Sequence, residues 1–254
     1  MTNDDQHRWD VFLDIQSGLP RQGPGCEAST LQALALCSRL PQRARVLDLG
    51  CGPGMQTITL AQAMDCHVTA VDLHRAYLDQ LVVGAEAAGV SDRIDVREAD
   101  MRDLPFAPAS FDLIWSEGAI YNVGFEAGLR ACHALLAPGG YVAVTELVWL
   151  TSEPPSEAAA FFAEEYPAMT DVATNLEMID ASGYECVGHF ALPDHAWWYH
   201  YYGPLEAKLP TLERTYADDP VARDVIAMSQ TEIAMRRQFP TTYGYVFFVG
   251  RKPD

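Results

Sequence analysis

The residues able to do chemistry begin with the run Asp48-Leu49-Gly50-Cys51-Gly52-Pro53-Gly54, where three glycines alternate along a turn. Glycine allows a tight turn and lets a ligand approach main-chain groups with no Cβ in the way. A helix beginning at Met55 presents unpaired N–H groups to that ligand. Asp72 ends the next apolar run. A carboxylate at that place in a doubly wound sheet accepts hydrogen bonds from both hydroxyls of a ribose. Together these features imply a nucleoside-cofactor site at the carboxyl edge of a sheet. The spacing is G-x-G-x-G, whereas dinucleotide enzymes favour G-x-G-x-x-G.

Further along, Glu117 follows the run FDLIWS and is therefore expected at the crevice where such sheets bind ligands. Tyr121 lies four residues on and offers a hydroxyl or packing for the next loop. Trp197-Trp198-Tyr199-His200-Tyr201-Tyr202 is the other unusual feature. At helical spacing Trp197 and Tyr201 share a face, and Trp198 and Tyr202 a neighbouring one. The stripe either anchors a cap helix or walls an apolar, aromatic or cationic acceptor. His195 and His200 titrate near neutrality and are candidate bases, although surface or structural histidines are commoner. Trp149 and Trp9 are candidates to line and to cover the same pocket.

The pattern of elements positions these groups. Strands are expected at Arg45–Gly50, His67–Val71, Ile94–Arg97, Phe111–Trp115 and Tyr141–Val148, with helices at Met55–Met64, His74–Ala88 and Phe125–Leu136. Such alternation means βαβ units and a mostly parallel sheet covered on both faces. Ahead of it, a helix is expected around Arg8–Ser17, a loop at 18–25, and a helix N-capped by Ser29 or Thr30 and stopped by Pro41. After Leu150 come a helical excursion through Tyr166, a helix at Val172–Ala181, a strand at Tyr184–Leu192, an aromatic and then helical stretch to Phe239, and a strong strand at Thr241–Gly250.

Composition narrows the partners. The 254 residues carry 17 Lys+Arg against 35 Asp+Glu, a net charge of −18. That balance lacks the basic footprint of nucleic-acid binding and disfavours anionic membranes. Hydrophobic residues make up 49% of the chain, enough for a substantial core. No apolar run is long enough to span a bilayer, and the polar start has no secretory pattern, so a cytoplasmic protein is expected. The six cysteines form no C-x-x-C pair, which favours reduced thiols and no metal site.

VLDLGCGPG, VTAVDL, EADMRDLPF, FDLIWSEGAIY and LLAPGGYVAVTE, in that order, resemble the class I S-adenosylmethionine (SAM)-dependent methyltransferases. SEGAIYNVGFE and YGYVFFVG are similar to a bacterial subgroup of small-molecule methyltransferases, the YjhP-like proteins. The resemblance implies a Rossmann-like α/β fold: a seven-stranded, mostly parallel sheet with the last strand antiparallel and helical cap insertions. One domain over 1–254 is expected, its core at about 45–150, 172–192 and 241–251 and its cap at 1–44, 151–171 and 193–240. Asp48, Gly50, Cys51, Gly52 and Gly54 would hold the methionine portion of the cofactor. Asp72 and Leu73 would hold its ribose and adenine, Asp100 and Met101 its adenine, and Ser116 would lie where cofactor and acceptor meet. Arg21, Gly25 and Thr30 are candidates for its carboxylate.

The implied reaction is direct methyl transfer to O, N or S of a small-molecule acceptor, leaving S-adenosylhomocysteine. Glu117, Tyr121 and His200 are the catalytic candidates. Glu117 is alternatively a supporting residue or a ligand of the cofactor's ammonium. Trp149, His195, Trp197 and Tyr201 are the candidates for substrate. Neither a non-catalytic SAM-binding regulator nor an NAD-dependent oxidoreductase is excluded at this point, and a monomer or a homodimer is compatible with the chain.

Overall fold

The first strand, ARVLDL, is buried at five of its six positions, the signature of a parallel strand covered on both faces. In the computed structural model, which describes residues 3–254, it is an interior strand of one mixed sheet. The elements run α1 (Asn3–Gln16), α2 (Glu27–Leu36), β1 (Ala44–Leu49), α3 (Met55–Ala63), β2 (Cys66–Asp72), α4 (Arg75–Ala87), β3 (Ile94–Glu98) and β4 (Phe111–Ser116). They continue with α5 (Phe125–Leu135), β5 (Leu136–Trp149), α6 (Ser156–Glu165), β6 (Thr170–Asp171), α7 (Val172–Ala181) and β7 (Glu185–Ala191). A short α8 (His195–Trp197) passes through a π turn at Trp198–Tyr202 into α9 (Gly203–Thr215), and α10 (Pro220–Gln238) and β8 (Tyr243–Arg251) follow. Residues 1 and 2 of the expected cap lie outside the described residues.

The strand order is β3-β2-β1-β4-β5-β8-β7. β1 to β5 pair in parallel, and β8 is antiparallel to both β5 and β7. Seven strands form this path as expected, and the two-residue β6 adds an eighth by pairing with Val148–Trp149. The order reverses between β1 and β4, which opens a crevice at their carboxyl ends.

Alternating side chains feed opposite layers. Val46 and Trp115 pack with Leu60 of α3 and Leu81 of α4, while Leu47 and Ile114 pack with Leu129 of α5 and Ile179 of α7. A third cluster joins Ile15 of α1, Phe162 of α6, Leu209 of α9 and Ile226 of α10. This cluster is the roof beside the crevice.

Helix ends explain several boundaries. Asp171 accepts the Thr174 N–H (2.8 Å) at the start of α7. Asp219 accepts the Ala222 N–H (3.0 Å) at the start of α10, with Pro220 next in the chain. The ammonium groups of the chain's two lysines both reach the C-termini of other helices, where free carbonyls attract cations. Lys208 donates to the carbonyls of Asp14, Ile15 and Ser17 after α1, and Lys252 to those of His133 and Leu136 after α5.

Local expectations differ at a few places. α2 starts at Glu27 with Cys26 at its N-cap, so Ser29 and Thr30 lie inside the helix. The Cys26 carbonyl takes the first helical N–H groups, and the Thr30 hydroxyl lies between that carbonyl (3.3 Å) and Glu117 (2.7 Å). β5 begins at Leu136, ahead of the expected Tyr141, and Pro138–Gly140 form an irregularity between the pairs Phe111↔Leu136 and Leu113↔Tyr141. The π turn widens the spacing in the aromatic run, so that Trp197 contacts Tyr202 at 5.7 Å.

Candidate functional site

Gly50, Gly52 and Gly54 all hold positive φ, at 67°, 54° and 85°. The Gly50 and Cys51 N–H groups both donate to the Val71 carbonyl (2.8 and 3.0 Å), which pins the turn to β2. A Cβ at Gly50 would lie 2.3 Å from the Ala119 Cβ. Gly54 serves the scaffold, because a Cβ there would meet the Leu81 side chain at 2.1 Å. Asp72 accepts the Gly52 N–H (2.8 Å) and the His74 N–H (2.9 Å), so its carboxylate is held at the mouth of the turn.

Asp48 lies beneath the turn and is fully buried. Its Oδ2 accepts the Thr57 hydroxyl (2.6 Å) and the Gln56 amide (3.3 Å). Its Oδ1 has no hydrogen-bond partner among the described residues. Burial pushes its carboxyl up to about 7, against the pull of Thr57. Gln56, which the sequence reading did not single out, also donates to the Cys51 carbonyl (2.9 Å) and so ties Asp48 to the loop.

A cleft of about 330 Å³ opens above these groups. Gly50, Cys51, Gly52, Asp72, Leu73, Asp100 and Met101 line it, as do Glu117 and Tyr121. Asp48, Gly54 and Ser116 lie behind the lining. The buried Ser116 hydroxyl donates to the Leu49 carbonyl (2.9 Å) and clamps β4 to β1. Asp100 is paired with Arg102 (2.6 Å), whose guanidinium and N–H hold its carboxyl below the usual range. Trp9, Phe12 and Gln22 close the cleft from the amino-terminal side, and Trp9 lies against His74 at 5.6 Å.

The residues present suit a nucleoside that carries an amino-acid tail. The glycine cradle leaves main chain open to it, the Asp72 carboxylate could accept from ribose hydroxyls, and half-exposed Leu73 could give an apolar surface to a base. The unpartnered Asp48 Oδ1 and the acid Glu117 suit an ammonium, and Arg21 suits a carboxylate.

Glu117 is buried and fully engaged. Its Oε1 accepts the Thr30 hydroxyl (2.7 Å) and the Trp115 indole N–H (2.9 Å), and its Oε2 accepts a bond from the buried guanidinium of Arg21. The structure thus joins Glu117 to Arg21 and Thr30, two of the candidates from the amino-terminal segment. Gly25 lies beside them, since a Cβ there would overlap the Arg21 guanidinium at 2.4 Å.

A second cavity of about 680 Å³ adjoins the first and shares Phe12, Gln22, Gly23, Gly118 and Tyr121 with it. Trp197 and Tyr201 line it with Tyr202 of the same aromatic run, and so do Tyr166, Glu232 and Tyr245, which the sequence reading missed. Glu232 shows in sequence only as an acid among the apolar positions of α10. Trp149 stands one ring behind the wall, edge-on to Phe162 at 5.5 Å. His195 and His200 line neither cavity. The π turn directs Tyr201 and Tyr202 inward and leaves His200 half-buried, where burial and then Arg21 hold its ring below the usual histidine range.

This sheet, with its antiparallel β8 and its glycine turn at the reversal of strand order, is the Rossmann-like fold of the class I SAM-dependent methyltransferases. Residues 46–140 match the family described as a methyltransferase domain. Over 137 residues it is 33% identical to the 27-O-demethylrifamycin SV methyltransferase of Amycolatopsis mediterranei, covering 53% of this chain and 50% of that protein. The chain spans about half the length of the curated relatives it matches. A SAM-dependent methyltransferase from Geobacter sulfurreducens, solved with S-adenosylhomocysteine, superposes with a TM-score of 0.81 at 21% identity, covering 96% of this chain and 98% of that one. YjhP from E. coli superposes with a TM-score of 0.78 at 21% identity, covering 94% and 98%.

Proposed function

We propose that this chain is a SAM-dependent methyltransferase acting by direct transfer on O, N or S of a small-molecule acceptor. The observation that carries the reading is the pairing of the two cavities. One is built for a nucleoside with an amino-acid tail, and the other adjoins it beneath a helical roof. Bound SAM would supply an electrophilic methyl group on a sulfonium.

The chain's own residues supply position and shielding. Asp72 and the Gly50–Gly54 turn hold one end of the cofactor, and the Asp48, Arg21 and Glu117 group meets the other. Tyr121 lines both cavities and stands at their junction. Trp9 and Phe12 flank the cleft from the amino-terminal side, and rate would come chiefly from a fixed near-attack geometry. Glu117, with Arg21 on one oxygen and Thr30 and Trp115 on the other, orients and balances charge. The acidic crevice suits a cationic cofactor.

Isothermal titration with SAM and S-adenosylhomocysteine tests the reading. Micromolar binding is expected, weakened at least about 100-fold in Asp72→Ala by loss of charge-assisted hydrogen bonds. Undetectable binding, or unchanged affinity in that variant, would defeat it. A non-catalytic SAM-binding regulator would bind the cofactor and release no S-adenosylhomocysteine across a broad acceptor panel.

A further inference from the structure

The second cavity is more selective than its size suggests. Its inner wall is largely aromatic, with Tyr166, Trp197, Tyr201 and Tyr245 contributed by separate parts of the roof and sheet. Four carboxylates line it, those of Glu164, Glu165, Asp224 and Glu232, against the single guanidinium of Arg8. Arg8 is exposed and donates to the Met228 sulfur (3.3 Å). The nearby Arg236 is committed elsewhere: it stacks on the Trp197 ring at 4.2 Å and donates to Asp194 and to the Tyr243 carbonyl.

Two buried polar atoms here have no partner among the described residues: the indole N–H of Trp197 on the wall and Oε2 of Glu146. Glu146 is 2% exposed, lies off the wall and is reached through Tyr166, whose hydroxyl donates to its Oε1. Tyr166 in turn packs edge-on against Tyr121, at 5.8 Å, beside the cofactor cleft.

We propose that this chamber takes an amine on an apolar body as the methyl acceptor, its nitrogen held by the aromatic wall and by the carboxylates of Glu232 and, through Tyr166, Glu146. The inference rests on the reading of the first cavity as the SAM site. Aromatic faces attract cations, and carboxylates strengthen that attraction where water is scarce. On the chamber wall Glu232 Oε1 accepts the Tyr202 hydroxyl (2.6 Å). After burial itself, it is the largest influence raising the hydroxyls of Tyr121, Tyr201 and Tyr202.

The same groups complete the reaction. An ammonium must lose a proton before it can attack. The Tyr166 hydroxyl takes that proton as it passes its own to Glu146, whose carboxyl burial has pushed up to about 7. The nitrogen lone pair then forms the N–CH₃ bond while the S–CH₃ bond breaks and leaves its electron pair on sulfur. The positive charge would thereby move to nitrogen, within the acidic chamber.

The test is calorimetry on the full chain saturated with S-adenosylhomocysteine, using 2-phenylethylamine, 2-phenylethanol and 3-phenylpropionate as probes of matched shape. The amine is expected to bind at least tenfold more tightly than the alcohol, and the carboxylate not detectably. Glu232→Gln and Tyr166→Phe should each weaken amine binding about tenfold and leave S-adenosylhomocysteine affinity unchanged, which also certifies that the variants fold. If S-adenosylhomocysteine binds but the alcohol or carboxylate equals the amine, the amine assignment alone is overturned. If S-adenosylhomocysteine does not bind, the cofactor reading falls and this inference with it.

Discussion

Arg21 and Glu117 form an ion pair in the protein interior although 96 residues separate them in the chain, and their side chains are only 6% and 1% exposed. The pair fastens the amino-terminal segment to the carboxyl end of β4, between cofactor and roof. Removing one member of such a pair strands the other charge without water. Glu117→Gln should therefore destabilise the fold by about 3 kcal/mol, and Arg21→Met by a similar amount. The double variant should recover most of either loss. Chemical denaturation of the three variants checks this, and additive losses would show that the two side chains are not coupled.

The glycines separate strain from contact. Gly118 holds φ at +64° with open space around its missing Cβ, so Gly118→Ala should cost about 1–2 kcal/mol from backbone conformation alone. Gly50→Ala adds the clash with Ala119 and should cost about 1–3 kcal/mol more. Equal melting temperatures for the two variants would contradict this account.

The pH response follows from Asp48 and Glu146, both raised to about 7 by burial. Unfolded carboxyls titrate near about 4. The stability associated with their protonated forms is thus fully present below about pH 4 and is lost as pH rises through about 7. Melting temperature should fall between pH 5 and pH 8, and less so in Asp48→Asn. A cationic ligand beside Asp48 favours its ionised form, so S-adenosylhomocysteine binding at pH 6.5 should release protons. Titration in two buffers of different ionisation enthalpy measures that release, and Asp48→Asn should reduce it.

Lys208 ties the end of α1 to α9 through three carbonyls. Lys208→Met should cost about 1 kcal/mol. Hydrogen exchange should quicken in α1, which carries Trp9 and Phe12 over the cleft, while the β1 amides keep their protection. Uniform quickening through the sheet would instead indicate global destabilisation.

The strand–turn–helix around Gly50 was legible in sequence because its chemistry is local. Glycines, a buried run and Asp72 lie within one βαβ unit, and the expected strands match β1, β2 and β4 within a residue or two. Seven of the residues expected on the glycine turn, ribose and adenine line the cleft, namely Gly50, Cys51, Gly52, Asp72, Leu73, Asp100 and Met101, and the expected Glu117 and Tyr121 line it too. The chamber was less legible because its wall is assembled from distant segments. Trp197 and Tyr201 were visible as an aromatic run, but the π turn that brings Tyr202 inward has no local signal. Glu146 reads as part of a strand until Tyr166 is seen to donate to it. Two partners of Glu117, Arg21 and Thr30, are long-range too, and they make this catalytic candidate one half of an ion pair.

The two lysines have a practical consequence. An amine-reactive reagent meets only two side-chain ammonium groups in this chain, and both are occupied at helix ends. Burial also holds Lys208 below the usual lysine range. Reductive methylation, lysine cross-linking or ester coupling to beads will therefore attack the fastenings of α1 and α5 before any bystander side chain. The same scarcity makes the rate of Lys208 modification a built-in gauge of how often the amino-terminal helix lifts from the cleft.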